Sequence, residues 1–285
     1  MGALLRIRLF GGLDVEGSVG DCVTPATPSS RNLLAYLALQ PDRRFPREMI
    51  AGALWPERSE RAALKALRNS LWRLRGATVG IECRRLIHSA DGQITLAPGV
   101  WVDVAAFDLC SQRLPRAGTG LLTPEQYRTL EHGVRLYRGD LLDGFYEAWA
   151  SVRREELRAA FLDLQEALRN HDRTAGDLRG AVRRGRRMLR HNPFLEHVHR
   201  DLMLCYWMAG DRPMAVRQFK RCERLLRREL DITPMHETMA LLERILQERP
   251  PTDGSAGLIA GGRRHPPGYE PPSPPAREGR RYPGS

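Results

Sequence analysis

The spacing of hydrophobic and polar residues changes along this chain from a strand period to a helix period. Residues 5–9 alternate leucine or isoleucine with arginine, and after Gly11 and Gly12 the alternation resumes at 13–15. A period of two residues is typical of a strand that is buried on one face. The N-terminus is therefore predicted to form short strands.

Three helices and a hairpin are predicted next. The elements cover roughly 30–40, 46–55 and 61–76 as helices and 84–96 as the hairpin. Pro46 fits the start of the second helix and Pro56 its end. Asp91-Gly92 between two short apolar runs is a strong hairpin signal. The second helix is expected to point Met49, Ile50, Leu54 and Trp55 inward.

The third helix has two faces with different chemistry. At about 100° per residue, one narrow apolar stripe forms from Leu64, Leu67, Leu71 and Leu74. The opposite face carries Lys65, Asn69, Trp72 and Arg73, flanked by Arg61, Arg68 and Arg75. Basic side chains suit phosphates or guanine, and asparagine can pair with adenine. A solvated surface helix is the alternative for this segment, and Trp72 either covers a thymine methyl group or folds back on the helix.

Together these elements predict a winged helix-turn-helix. In that geometry the third helix enters the major groove, and the hairpin tip lies near a neighbouring phosphate or the minor groove. The hairpin contacts expected from this arrangement are His88, Ser89 and Gln93. Each of these three side chains has simple exposure as its alternative.

From about residue 103 the pattern is helical, and it contains a repeat. Asp103 is expected to cap a helix, and Thr123-Pro124-Glu125 to start another. Residues 175–190 and 209–224 share eight of sixteen positions at an offset of 34, which is the tetratricopeptide period. Paired helices of this kind leave a curved surface that commonly binds protein.

Three groups of side chains in the helical region have competing interpretations. Tyr206 and Trp207 are most simply core residues, with a partner-binding groove as the alternative. The arginine-rich run 183–187 is best explained as a solvated helix face rather than a nucleic-acid site. His191, His197 and His199 lack the accompanying cysteines or carboxylates of a metal site. No metal and no cofactor is therefore expected.

Five sequence blocks occur in the order found in one known family. They are LRIRLFGGLDVE, REMIAGALWPE, ALKALRNSLWRLR, VWVDVAAFD and LYRGDLLDGFYEAW. Over residues 4 to about 246 the chain resembles the SARP family of bacterial transcriptional activators, which join an OmpR-like winged helix to a bacterial transcriptional activator domain (BTAD). The resemblance implies binding to promoter direct repeats as a homodimer and recruitment of RNA polymerase. Ala66 and residues 76–79 depart from the family pattern, which bears on base preference and on the end of the third helix.

The predicted fold class is α+β, with an N-terminal winged helix-turn-helix followed by an all-α tetratricopeptide-like domain. The expected domains are 1–100 for DNA binding, 101–248 for the BTAD and 249–285 for a disordered tail. That tail has nine prolines and seven glycines. Of the net charge of +11, +5 falls in 1–100, and positive charge favours polyanions.

The five cysteines are dispersed and odd in number, and no apolar run approaches the roughly 20 residues of a membrane span. With no signal-like N-terminus, these features predict a cytoplasmic, nucleoid-associated protein without a membrane partner.

An enzyme is not expected, because the sequence lacks a phosphate-binding loop, a G-x-S-x-G elbow and an H-E-x-x-H pair. Two hypotheses remain. The favoured one is a sequence-specific regulator that binds double-stranded DNA. The alternative is a tetratricopeptide-type interaction module whose winged helix no longer binds DNA.

Overall fold

A computed structural model describes residues 5–17, 25, 27–77, 86–115 and 121–247. These residues are mostly helical, with two small three-stranded sheets. The tail 249–285, Cys22 and Cys83 lie outside the described residues. Within the described ranges, no helix has the length and apolar character needed to span a membrane.

The first sheet joins the N-terminus to a strand far along the chain. Strand β1 (Leu5–Arg8) pairs antiparallel with β2 (Asp14–Gly17). The turn between them places Gly11 at φ 80° and Gly12 at φ 125°, a backbone region that favours glycine. The last strand within the described residues, β6 (Val100–Val102), pairs parallel with β1. Sequence analysis predicted the N-terminal strands but not β6.

Three helices and a hairpin lie between β2 and β6 in the sequence. The helices are α1 (Pro28–Ala38), α2 (Arg47–Leu54) and α3 (Glu60–Ala77). The short strand β3 (Phe45–Pro46) and the hairpin strands β4 (Ile87–Ala90) and β5 (Gln93–Leu96) form a sheet of order β3-β5-β4. The predicted helices and the hairpin are confirmed to within a few residues.

One side chain of α2 was assigned to the wrong face. Met49 is 43% exposed, and its sulfur lies 3.6 Å from a guanidinium nitrogen of Arg43. The inward positions are Ile50, Ala51 and Leu54, and Trp55 is half-buried. At about 100° per residue, Leu54 lies between Ile50 and Ala51 around the helix axis, whereas Met49 lies on the other side of Ile50 and turns outward.

The remaining described elements are helices. They are α4 (Asp103–Ser111), α5 (Pro124–Leu136), α6 (Ala148–Thr174), α7 (Leu178–His191), α8 (Glu196–Met208), α9 (Arg212–Leu230) and α10 (His236–Gln247). The predicted start of α5 is confirmed, because Thr123 and Gln126 form a reciprocal capping box.

The sequence repeat corresponds to a repeated helical turn. Gly176 and Gly210, offset by 34 residues, both have a positive φ, 84° and 78°. The next residue in each copy is an aspartate that caps the second helix. Asp177 accepts from the backbone N–H of Gly180 at 2.8 Å, and Asp211 accepts from that of Met214 at 3.0 Å. The repeat thus specifies two similar helix–turn–helix units, α6–α7 and α8–α9.

Asp103 fixes the junction between the first sheet and the helical region. Its buried carboxylate accepts from the backbone N–H groups of Leu9 at 2.8 Å, Phe10 at 3.2 Å and Val104 at 2.8 Å. The N-cap of α4 is Val102 and Asp103 is the first residue of the helix, so the expectation that Asp103 caps α4 is wrong. Its carboxylate instead links the start of α4 to the backbone that follows β1. The backbone N–H of Leu142 also donates to the carbonyl of Leu9 at 2.8 Å. The loop before α6 therefore contacts the residue that directly follows β1.

The buried hydrophobic side chains of the described residues form two cores. One contains buried residues from Leu5 to Leu168, and the other contains buried residues from Met188 to Ile245. Within the first core, the Tyr137 ring lies 4.8 Å from Phe10 and stacks on Phe161 at 4.2 Å. The N-terminal sheet, helices α1–α3 and helices α4–α6 therefore share a single core.

Candidate nucleic-acid interface

The buried face of α3 attaches this helix to α1 and α2. Leu67, Leu71 and Leu74 are buried as expected, whereas Leu64 is only half-buried and Ala63 takes its place in the core. The Ser30 hydroxyl on α1 donates to the backbone carbonyl of Ser70 on α3 at 3.4 Å. The buried stripe therefore fixes which way the rest of α3 points.

The opposite face of α3 is exposed and carries the predicted polar side chains. The exposed members are Arg61, Lys65, Arg68, Asn69, Trp72, Arg73 and Arg75. Within the described part of the chain, no hydrogen bond or ion pair occupies the side chains of Lys65, Asn69 and Arg73. Arg61 and Arg68 are likewise without such a partner there. These groups are available to an external anion or base edge.

Trp72 is 75% exposed. An indole folded back on its own helix would lose more of its surface to that helix, so the exposure favours the alternative in which Trp72 faces outward. A large exposed aromatic ring in the middle of a basic face is available for apolar contact with a bound partner.

The β4–β5 hairpin has the predicted tight turn. Asp91 has φ 52° and Gly92 φ 75°, as a two-residue turn of the I′ type requires. His88 and Gln93 are exposed on this hairpin. Ser89 is half-buried, and its hydroxyl accepts from the Arg47 guanidinium at 3.0 Å. Ser89 is thus already engaged with the first residue of α2.

Sequence analysis missed Arg47 as a residue that positions the hairpin. Its guanidinium reaches Ser89 because β3 pairs with β5, with Phe45 opposite Ile94. That pairing joins segments far apart in sequence, and the local pattern around Pro46 carries no sign of it. Arg47 therefore links the start of α2 to the hairpin.

The support for α3 extends into the helical region. On α1, the Asn32 amide donates to the carboxylate of Glu147, and the Tyr36 ring lies 5.4 Å from that of Trp149 at the start of α6. Arg31 lies over the Phe145 ring at 5.4 Å. Because α1 packs on α3, these contacts restrain the exposed face of α3 relative to α6.

The two predicted partner-binding residues have different surroundings. Trp207 is 1% exposed, with the Arg244 guanidinium 5.6 Å from its ring, so its burial favours the core alternative. Tyr206 is largely buried, but its hydroxyl accepts from Arg186 at 3.0 Å and its edge lines a groove between α7 and α9. Only Tyr206 is in a position to contact a partner in this conformation.

The arginine run 183–187 is not uniformly solvated. Arg183 and Arg186 are exposed. Arg184 binds Asp172 and Glu131 at 2.7 Å each, and Arg187 donates to the backbone carbonyl of Tyr137 at 3.1 Å. The expected solvated face therefore applies to part of the run only. The other arginines attach α7 to α5 and α6.

The three histidines considered as metal ligands have ordinary partners. His199 has the Pro193 carbonyl at 3.0 Å from one ring nitrogen and the Gln218 amide at 2.7 Å from the other. Burial is the main cause that lowers the pKa of His191, of His197 and of His199. Among the described residues, no three His, Cys, Asp or Glu side chains cluster as a metal site would require.

Comparison with known proteins identifies a family model described as bacterial transcriptional activator domain, which matches residues 102–246. The chain is 28% identical over 233 residues to the regulatory protein AfsR of Streptomyces coelicolor, covering 81% of this chain and 23% of AfsR. It is 25% identical over 240 residues to the transcriptional regulatory protein EmbR of Mycobacterium tuberculosis, covering 81% of this chain and 61% of EmbR.

Among solved structures, a similar fold occurs in Mycobacterium tuberculosis EmbR, determined in complex with a low affinity phosphopeptide. The TM-score is 0.64 at 24% identity, and the alignment covers 87% of this chain and 66% of that one. The chain thus spans less than a quarter of AfsR and under two thirds of EmbR.

Proposed function

Because this chain belongs to the bacterial transcriptional activator domain family, within the SARP group of regulators, we propose that it is a sequence-specific DNA-binding transcriptional regulator and an activator. In this proposal α1–α3 and the β4–β5 hairpin act as a winged helix-turn-helix. Helix α3 enters the major groove and the hairpin lies beside the adjacent backbone.

The observation that carries the proposal is the face of α3 formed by Lys65, Asn69 and Arg73. Its cations and its amide are exposed and have no partner within the described residues, while the leucines of the same helix are buried. Basic groups neutralise phosphates and release counterions, and an amide can read a base edge. The hairpin contributes His88 and Gln93, with Ser89 held by Arg47.

The direct test measures binding of the full chain to duplex DNA by fluorescence anisotropy at a series of salt concentrations. The logarithm of the affinity should fall linearly with the logarithm of salt, with roughly 0.9 added to the slope for each phosphate contact. A flat response would contradict DNA binding and would favour the interaction-module alternative.

Substitutions on α3 should distinguish base contacts from phosphate contacts. Asn69→Ala is expected to reduce discrimination between a specific and an unrelated duplex by about 1–3 kcal/mol, because a bidentate contact to adenine is lost. Arg73→Ala will either reduce discrimination, as a guanine contact would, or weaken all binding and lower the salt slope, as a phosphate contact would. Both are measured by anisotropy on the two duplexes.

The matched control for these substitutions is Arg179→Ala, which removes an exposed arginine from α7, away from α3. This variant should bind both duplexes as the parent chain does. Parental binding by both α3 variants would refute the assignment of this face.

We further propose that two copies bind direct repeats as a homodimer. One winged helix contacts few base pairs, so a useful promoter site needs two copies spaced by the helical repeat of DNA. Inserting about five base pairs between half-sites, half of the roughly 10-base-pair turn, should abolish cooperative binding in footprinting. Retained cooperativity after this insertion would exclude a dimer with fixed spacing.

In the same proposal, helices α4–α10 contact RNA polymerase and supply activation. The match of 102–246 to an activator domain supports this role. In a purified transcription system, a chain ending at residue 248 should activate as well as the full chain, since both cores end before that point. Loss of activation on removing 249–285, with DNA binding retained, would assign polymerase contact to the tail instead.

A further inference from the structure

A basic groove of about 950 Å³ lies between α7 and α9. On α9 the basic positions follow the spacing of a single helix face, at i, i+3, i+4 and i+7. Two more basic positions, one turn apart, lie on α7. The six cations that line the groove are Arg186, Arg190, Arg217, Lys220, Arg221 and Arg224.

These cations are not neutralised by the protein itself. All six are exposed, and among the described residues none of them forms an ion pair. Arg186 donates to the Tyr206 hydroxyl, and Arg224 donates to the backbone carbonyl of Lys220, both neutral acceptors. The single acid in the lining, Glu223, lies 3.8 Å from Arg227 outside the groove. A concave surface lined by one sign of charge concentrates counter-ions of the opposite sign.

The floor of the same groove is apolar. Leu189, Leu202 and Met214 line it together with Tyr206. A duplex bound through its phosphates would use the basic rims but would leave this floor in contact with water. A peptide that alternates acidic and apolar side chains would use both, because its carboxylates reach the rims while an apolar anchor covers the floor.

We propose that this groove binds a short acidic segment of a partner protein, with carboxylates on the arginines of α7 and α9 and one apolar side chain on the floor. The tail of this chain does not fit that description, since residues 249–285 carry six basic and three acidic residues. The proposal goes beyond DNA binding and does not depend on it, because the groove and the α3 face share no residues.

The test uses the full chain and a fluorescently labelled peptide of alternating glutamate and leucine. Two further probes are the same peptide with glutamine in place of glutamate and the same peptide with serine in place of leucine. The first probe should bind, with an affinity that falls as salt is added, and both substituted probes should bind about tenfold or more weakly. Equal binding of the leucine and serine peptides would overturn the role of the floor.

The groove variant combines Arg217→Glu, Arg221→Glu and Arg224→Glu. The control variant combines Arg179→Glu, Arg212→Glu and Arg228→Glu, which are exposed on the same two helices but do not line the groove. Both variants change the net charge equally. The groove variant should bind the peptide about tenfold or more weakly, and the control should stay near the parent chain. If peptide binding is weakened equally in both variants, net charge alone explains the loss and the proposal is overturned.

Binding of the groove variant to duplex DNA tests whether the groove is a nucleic-acid surface. It also separates this proposal from the function proposed above. The groove variant should keep far more of its DNA affinity than of its peptide affinity, because the α3 face is unchanged. If it loses both to the same extent, the groove is a DNA surface and the peptide proposal fails. If the parent chain binds the peptide but no DNA, the proposal of a DNA-binding regulator fails and the proposal of a peptide groove stands. Thermal unfolding of each variant, expected to match the parent, establishes that the comparison involves folded protein.

Discussion

Replacing Asp103 by alanine should lower the free energy of unfolding by about 3–5 kcal/mol, since three buried backbone donors lose their acceptor at roughly 1–3 kcal/mol each. The N–H groups of Leu9, Phe10 and Val104 all donate to this carboxylate. The side chain is buried, so water does not simply replace it. Urea unfolding followed by circular dichroism measures the change, and a loss below about 1 kcal/mol, the size of one ordinary surface effect, would contradict it.

The variant Asp103→Asn is the matched control and adds a pH test. Its amide oxygen can still accept from Leu9 and Val104, so the loss should be smaller than with alanine. Burial raises the pKa of Asp103 above its ordinary value of 3.8, against the lowering effect of its backbone donors. A raised folded-state pKa contributes stability that is present below pH 3.8 and is lost as pH rises through the raised value. This part of the pH dependence should disappear in the asparagine variant.

Arg184→Ala should lower the free energy of unfolding by a similar amount, about 3–5 kcal/mol, because it leaves a buried carboxylate without its partner. The guanidinium bridges Asp172 and Glu131 and also donates to the Tyr127 hydroxyl at 2.9 Å. The Asp172 side chain is 4% exposed, so its charge is poorly solvated once the arginine is removed. The same urea experiment measures the loss.

The neighbouring residue supplies the control for Arg184. Arg183 is 73% exposed and lies 3.7 Å from Asp177, a weak surface pair. Arg183→Ala should therefore change the free energy of unfolding by at most about 0.5 kcal/mol. In a double-mutant cycle, adding Asp172→Asn to Arg184→Ala should restore part of the stability. Equal losses for Arg183→Ala and Arg184→Ala would contradict the bridging role.

Much of the secondary structure follows from residues that are close in sequence. Apolar periodicity located α1, α2 and α3, and Asp91-Gly92 located the hairpin, because these signals act over one or two turns. The repeat predicted paired helices, and Gly176 and Gly210 occupy matching positions in the two turns. The exposed positions of Lys65, Asn69 and Arg73 followed from the same 100° period. Their contact with DNA remains a prediction.

Features that depend on distant segments were not accessible from local patterns. The pairing of Leu5 with Val100 creates β6, and the pairing of Phe45 with Ile94 brings Arg47 to Ser89. The burial of Arg184 depends on carboxylates from two other helices. A run of arginines looks solvated in sequence, because nothing within a few residues of it reveals those partners.

The first core, which the N-terminal elements share with α4–α6, limits where two regulators of this family can be joined in a chimaera. A chimaera joined at residue 100 would separate Phe10 from Tyr137 and Leu9 from Leu142, and it would leave apolar surface uncovered on both donor fragments. A graft joined at the turn near Gly176 would keep that core whole, although the packing of α6 on α7 would have to be remade. The exchangeable piece therefore extends through α6, so that the exposed face of α3 is transplanted together with the first half of the helical region.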